Sequence, residues 1–120
     1  MRTIKFKAWN DIDKMMIGWD TLQASPVLFM NILKGKVKHH QLMQFTGLQD
    51  KNGVDIYEGG LISLHDNQRG FAKVVFKNAY VGGWLLVRNN NACSLGARRQ
   101  EALEVIGNIH QNPELLELNK

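Results

Sequence analysis

Apolar and polar positions alternate cleanly at the start of the chain. From Thr3 to Trp9, Ile4, Phe6 and Ala8 fall on one face and Lys5, Lys7 and Trp9 on the other. A period of two with one apolar face predicts a half-buried strand. Asn10-Asp11-Ile12-Asp13 reads as a polar turn, and Lys14-Met15-Met16-Ile17-Gly18 as a short return strand. Residues 19–41 lose this period. Ser25-Pro26 is a helix start, because a serine oxygen caps free amides and proline suits the first turn. Val27, Met30 and Leu33 follow at helical spacing, and Gly35 suits the stop. The stretch is also compatible with a strand; the helix is the preferred reading. Lys34, Lys36 and Lys38 then alternate with Gly35 and Val37, which predicts an exposed edge strand guarded by lysines.

The second half is punctuated by glycine and asparagine. Asn52-Gly53 predicts a two-residue hairpin turn with positive φ at one or both positions. Gln44-Phe45-Thr46 leads into it and Val54-Asp55-Ile56-Tyr57 leads out. Glu58-Gly59-Gly60 makes a second bend. Leu61 to His65 begins a strand paired with Gly70 to Lys77 across a turn at Asp66-Asn67-Gln68-Arg69. Ala72, Val74 and Phe76 share one face of that partner, with Lys73, Val75 and Lys77 opposite. Val81-Gly82-Gly83 breaks the chain, and the nearly apolar Trp84-Leu85-Leu86-Val87 predicts a central strand. Asn89 to Gln100 reads as a long polar loop and Glu104 to Ile109 as the last strand. Asn112-Pro113-Glu114 starts a short C-terminal helix, with an acid favourably placed in its first turn. Several short strands separated by such turns predict a mainly β barrel or sandwich.

Composition narrows the class. The 120 residues fit one domain, 1–120, and 44% apolar with 22% charged residues is ordinary for a globular protein. Cys93 is the sole cysteine, so no internal disulfide forms and a cytoplasmic protein is expected. The N-terminus lacks the apolar run of a signal peptide. The longest apolar stretch, Val27 to Leu33, is far short of the ~20 residues that span a bilayer. The formal charge of +4 is uneven: residues 61–100 carry six Lys/Arg against one acid. Such a surface attracts nucleic acid or an acidic partner.

Three blocks carry a resemblance. Leu42-Met43-Gln44-Phe45-Thr46-Gly47-Leu48-Gln49-Asp50-Lys51-Asn52-Gly53-Val54-Asp55-Ile56-Tyr57-Glu58-Gly59 resembles the central signature of the YopX family of phage and prophage proteins. Ile4 to Trp9 with Lys14-Met15-Met16 is similar to that family's N-terminal strand and turn. Val105-Ile106-Gly107-Asn108-Ile109-His110-Gln111-Asn112-Pro113-Glu114-Leu115-Leu116 is similar to its C-terminal signature. The resemblance implies a small SH3-like barrel with added N-terminal strands and a short C-terminal helix. It also implies a structural signature at Asn52, Gly53, Tyr57, Glu58, Gly59, Gly107, Asn108 and Pro113. No catalytic residue comes with it. The sequence departs from the family at Gly60, where an aspartate is usual.

Candidate chemistry is sparse. Glu58 with Asp55 or Asp50 is a conceivable acid–base pair, but acids on hairpin turns are usually solvated. The structural reading puts Tyr57 in the core and Glu58 against backbone amides of the bend. His39-His40, His65 and His110 lack zinc spacing, and adjacent strand residues point to opposite faces; no metal and no cofactor are expected. Gly59-Gly60 and Gly82-Gly83 lack the lysine and hydroxyl of a phosphate loop. Cys93 has no neighbouring base in sequence. The most informative set is Lys73, Lys77, Trp84, Arg88, Arg98 and Arg99, a platform for single-stranded nucleic acid if they converge. The expected function is a non-enzymatic module binding a phage or host protein, or itself, away from membranes; the alternative is a nucleic-acid-binding accessory of phage replication or regulation.

Overall fold

The structure, a computed structural model of the chain, describes residues 3–64, 71–77, 83–88 and 91–117. The turn expected at 66–69, His65 and the break at Val81-Gly82 lie outside these residues, as do the side chains of Lys77, Leu116 and Glu117. The described chain is mainly β, with two sheets and a few short helices. It falls into two compact units, residues 1–45 and 46–120.

In the first unit β1 (Phe6–Asn10) lies between β2 (Met15–Ile17) and the opening residues of β3 (His40–Gln49), antiparallel to both. Ala8 faces Ile17 on one side and Leu42 on the other. The β1–β2 turn closes as the sequence predicts. Asn10 Oδ1 accepts the amides of Ile12 (2.9 Å) and Asp13 (3.1 Å), doing with a side chain what a backbone carbonyl does in a regular turn. The alternation of β1 is less one-sided than expected. Ala8 and Trp9 point to opposite faces yet are both buried, whereas Ile4 is exposed.

Two helices cover this strand group, and only the second is foreshadowed by the sequence: α1 (Trp19–Ala24) and α2 (Pro26–Leu33). Pro26 occupies the first turn of α2 as expected, but Ser25 makes no side-chain cap. It is shared with α1, whose end it closes by donating its amide to the Leu22 carbonyl (3.3 Å). At the far end Gly35 takes φ +72°. Its amide donates to Ile32 O (3.1 Å) and that of Lys36 to Asn31 O (2.9 Å), the paired bonds of a Schellman stop. The lysine segment 34–38 is therefore a helix-terminating turn and not the edge strand expected, because a left-handed glycine reverses the chain where a strand would continue.

The buried face of α2 is also not the one the spacing suggests. Ile32 is buried, Leu28 and Phe29 pack inward against the Ala8–Leu22 core, and Val27, Met30 and Leu33 face outward. The ring of Phe29 explains the choice: it lies 5.5 Å from both Phe6 and Trp19, whose rings are 6.0 Å apart. Three large aromatic side chains bury more apolar area together than a Val–Met–Leu stripe does.

In the second unit the last residues of β3 neighbour β4 (Asp55–Tyr57). The hairpin turn between them holds three residues, Lys51-Asn52-Gly53, and not the expected two. The Asp50 amide donates to Val54 O (2.9 Å) and the Gly53 amide to Asp50 O (3.1 Å). Positive φ falls on Gly53 alone of the two turn residues, at +78°. A tight turn followed by one left-handed residue is the standard three-residue solution.

A five-stranded antiparallel sheet follows, in the order β8-β7-β6-β5-β9. Its strands are β5 (Gly60–Leu64), β6 (Phe71–Lys77), β7 (Gly83–Arg88), β8 (Asn91–Ser94) and β9 (Leu103–Asn108). The stretch expected as a polar loop, 89–100, instead carries β8 and a 3₁₀ turn at Leu95–Ala97; a second spans Gln100–Ala102. Leu95 is fully buried and pins the first turn into the core, which a single apolar residue among polar ones does not announce. Ile56, Ile62, Leu64, Ala72, Val74, Leu86, Leu95 and Leu103 form that core. The C-terminal helix α3 (Glu114–Glu117) begins directly after Pro113.

Candidate functional site

Asp50 directly follows β3 and is fully buried, and both oxygens of its carboxylate accept hydrogen bonds. Oδ1 accepts the amides of Asn52 (2.8 Å) and Val54 (2.9 Å), and Oδ2 accepts that of Val105 in β9 (2.8 Å). Its carbonyl also accepts Gln100 Nε2 (2.8 Å). Burial pushes the carboxyl pKa up, but the amides of Val105, Val54 and Asn52, with the charge of Lys51, outweigh it and hold the group below its ordinary range. An ionised carboxylate that accepts three backbone amides is a brace. It ties the hairpin to β9 and leaves no lone pair aimed at solvent for proton transfer. Asp55 accepts Gln49 Nε2 (3.0 Å), and Tyr57 and Glu58 are half-buried, so Tyr57 is not the core residue the sequence reading places there.

The remaining signature positions also hold the chain to itself. The Gly59 amide donates to Val74 O and its carbonyl accepts the Ile109 amide, both at 2.9 Å. At the neighbouring Gly60 an added Cβ would lie 2.9 Å from the Tyr57 carbonyl, so glycine relieves a close approach. Asn108 is buried; its Oδ1 accepts the amides of His110 (3.0 Å) and Gln111 (2.8 Å) and its Nδ2 donates to Gln111 Oε1 (2.6 Å). Its own amide donates to Asn112 Oδ1 (3.2 Å). A Cβ on Gly107 would collide with the Asn112 side chain.

The basic set divides. On β7, Trp84, Leu86 and Arg88 share one face by strand alternation; Lys73 of β6, opposite Val87, belongs to the other. Lys77 pairs with Gly83 in the same register. Trp84 packs edge-on against Phe76 at 4.9 Å and against the core, half-buried. Arg99 is exposed. Arg88 and Arg98 border one cleft. It is open, of about 510 Å³, and lined also by Leu64, Ala72, Leu86, Asn91, Ala92 and Cys93. Arg98 Nη2 lies 3.5 Å from Cys93 Sγ. Sequence places Arg88 and Arg98 ten residues apart; the missed strand β8 folds that segment back and brings them to one opening.

Among the described residues no group of three or more His, Cys, Asp or Glu is placed to hold a metal ion. His39 is exposed, and the Nδ1 of His40 is buried without a hydrogen-bond partner among the described residues. No described helix is long and apolar enough to cross a membrane.

The family model described as YopX protein matches residues 5–117. Two solved structures share the fold. Protein EF1440 from Enterococcus faecalis is 22% identical, with 97% of this chain and 99% of that chain covered and a TM-score of 0.67. Protein yopX from Bacillus subtilis is 18% identical, with 97% of each chain covered and a TM-score of 0.53. No curated protein matches the chain.

Proposed function

The chain belongs to the YopX family, and from that premise we propose that it is a non-enzymatic, phage- or prophage-encoded interaction module. It acts in the host cytoplasm and receives an acidic, partly apolar segment of a partner protein on the outward face of α2. The observation that carries this reading is that α2 is apolar on both sides. A helix apolar all round is normally buried, yet Val27 is 75% exposed, Met30 50% and Leu33 49%. Charge chooses the occupant. Residues 1–45 hold seven Lys/Arg against three acids and residues 46–120 eight against eight, so the whole formal +4 belongs to the first unit. Lys34, Lys36 and Lys38 are exposed directly after the stripe. A second copy would oppose +4 to +4, whereas an acidic partner is attracted. The five-stranded sheet, with 3₁₀ turns before its last strand, supports an SH3-like barrel as the scaffold.

Nucleic-acid binding is the second reading. Arg88, Arg98 and the shared face of Trp84 favour it, while Lys73 on the opposite face argues against one continuous basic track. Affinity capture from phage-induced cells, with and without nuclease, separates the two. The expected result is a nuclease-resistant acidic partner lost from the Val27→Asp and Lys34→Glu/Lys36→Glu variants. Capture abolished by nuclease, or unchanged in both variants, would refute the α2 reading. So would a wild-type dimer in sedimentation that Val27→Asp dissociates.

A further inference from the structure

We propose that the cleft of the second unit, flanked by Arg88 and Arg98, is a binding site for a small organic anion: an aromatic or apolar body carrying one carboxylate or phosphate head. The size suits this class. At about 510 Å³ the cleft falls within the range of about 300–1,000 Å³ typical of small-molecule sites. Its chemistry is two-part. Leu64, Ala72 and Leu86, core residues that expose only 2–6% of their surface, form an apolar floor, while Arg88 and Arg98 stand in its lining. Arginine keeps its charge at every physiological pH, and its planar fork matches carboxylate and phosphate oxygens in pairs.

The two arginines are carried on fixed elements. Arg88 ends β7 and is paired in register with Asn91 of β8. Arg98 follows the 3₁₀ turn that fully buried Leu95 anchors; its amide donates to the Leu95 carbonyl (3.2 Å) and its guanidinium contacts Cys93. A head group held by Arg88 and Arg98 leaves its body over Leu64, Ala72 and Leu86. A bare ion would gain the first contact and lose the second. This site and the α2 surface have no residue in common, and either reading can fail without the other.

Cys93 provides a readout that needs no substitution, because it lines the cleft and is the sole thiol of the chain. The probes are adenosine 5′-monophosphate, indole-3-acetate and inorganic phosphate. Binding is followed by calorimetry and by the rate at which iodoacetamide alkylates Cys93. At least one organic anion is expected to bind and to slow alkylation several-fold, and inorganic phosphate to bind about tenfold more weakly, a difference of about 1.4 kcal/mol. The nucleotide and the carboxylate arms identify which head group is preferred. Arg98→Gln and Arg88→Gln should each weaken binding about tenfold or more, and the exposed Arg99→Gln should leave it unchanged. Asn91→Trp, exposed and opposite Arg88 in register on the same face, fills the opening without removing a charge and should also abolish binding. Three results would overturn the proposal: no protection of Cys93 by either organic anion at about 10 mM; inorganic phosphate binding as well as both; or oligonucleotides binding ever more tightly with length while both mononucleotide and indole-3-acetate fail.

Discussion

Asp50 Oδ2 accepts a 2.8 Å hydrogen bond from the amide of Val105, 55 residues further along the chain. That bond joins the end of β3 to β9 through a side chain with no exposed surface. The Asp50→Asn variant should lose about 2–4 kcal/mol, because its amide nitrogen would turn a donor toward a backbone donor. Urea denaturation measures the loss.

The same carboxylate gives the fold an acid limit. Its folded pKa lies below its ordinary value of 3.8, so the unfolded chain binds the proton more readily. The stability it contributes is therefore fully present above about 3.8 and is lost as the pH falls through the lower folded value. Unfolding free energies measured between pH 6 and pH 2 should fall at the acid end in the wild type, and Asp50→Asn should show a shallower fall.

Gly107 and Asn112 should be energetically coupled. A methyl group at position 107 meets the Asn112 side chain, so Gly107→Ala should destabilise the domain by about 1–3 kcal/mol. In an Asn112→Ala background the same change should cost less. A double-mutant cycle by thermal unfolding reads the difference, and simple additivity would contradict the contact.

Gly53→Val places a β-branched residue at φ +78° with open space around it. The cost is backbone strain alone, about 1–3 kcal/mol. Gly53→Asn should be milder, since asparagine tolerates this region. Equal stability of the two variants would count against the turn.

The two faces of α2 should respond oppositely. Ile32→Ala removes a buried side chain and should cost about 2–4 kcal/mol. Val27→Asp changes an exposed one and should stay within about 0.5 kcal/mol. Chemical denaturation of both variants distinguishes the observed helix orientation from the one its spacing suggests.

Local signals were the legible part. The existence of strand β1, the β1–β2 turn, the left-handed Gly53, the proline start of α2 and a last strand near Glu104–Ile109, observed one residue earlier, each follow from a few neighbouring residues whose backbone preferences agree. The signature blocks 42–59 and 105–116 were readable as blocks, but not the reason for them. Asp50 looks like one more turn acid until Val105 is beside it, and Gly107 looks like a strand flaw until Asn112 folds over it. The inward face of α2 was decided by Phe6 and Trp19, and the sharing of one cleft by Arg88 and Arg98 by a strand pairing that residues 91–94 do not advertise. Periodicity reports what a segment can bury, because it depends only on side-chain direction along that segment. Which face is buried, and which distant polar groups meet, depends on partners that only the folded chain supplies.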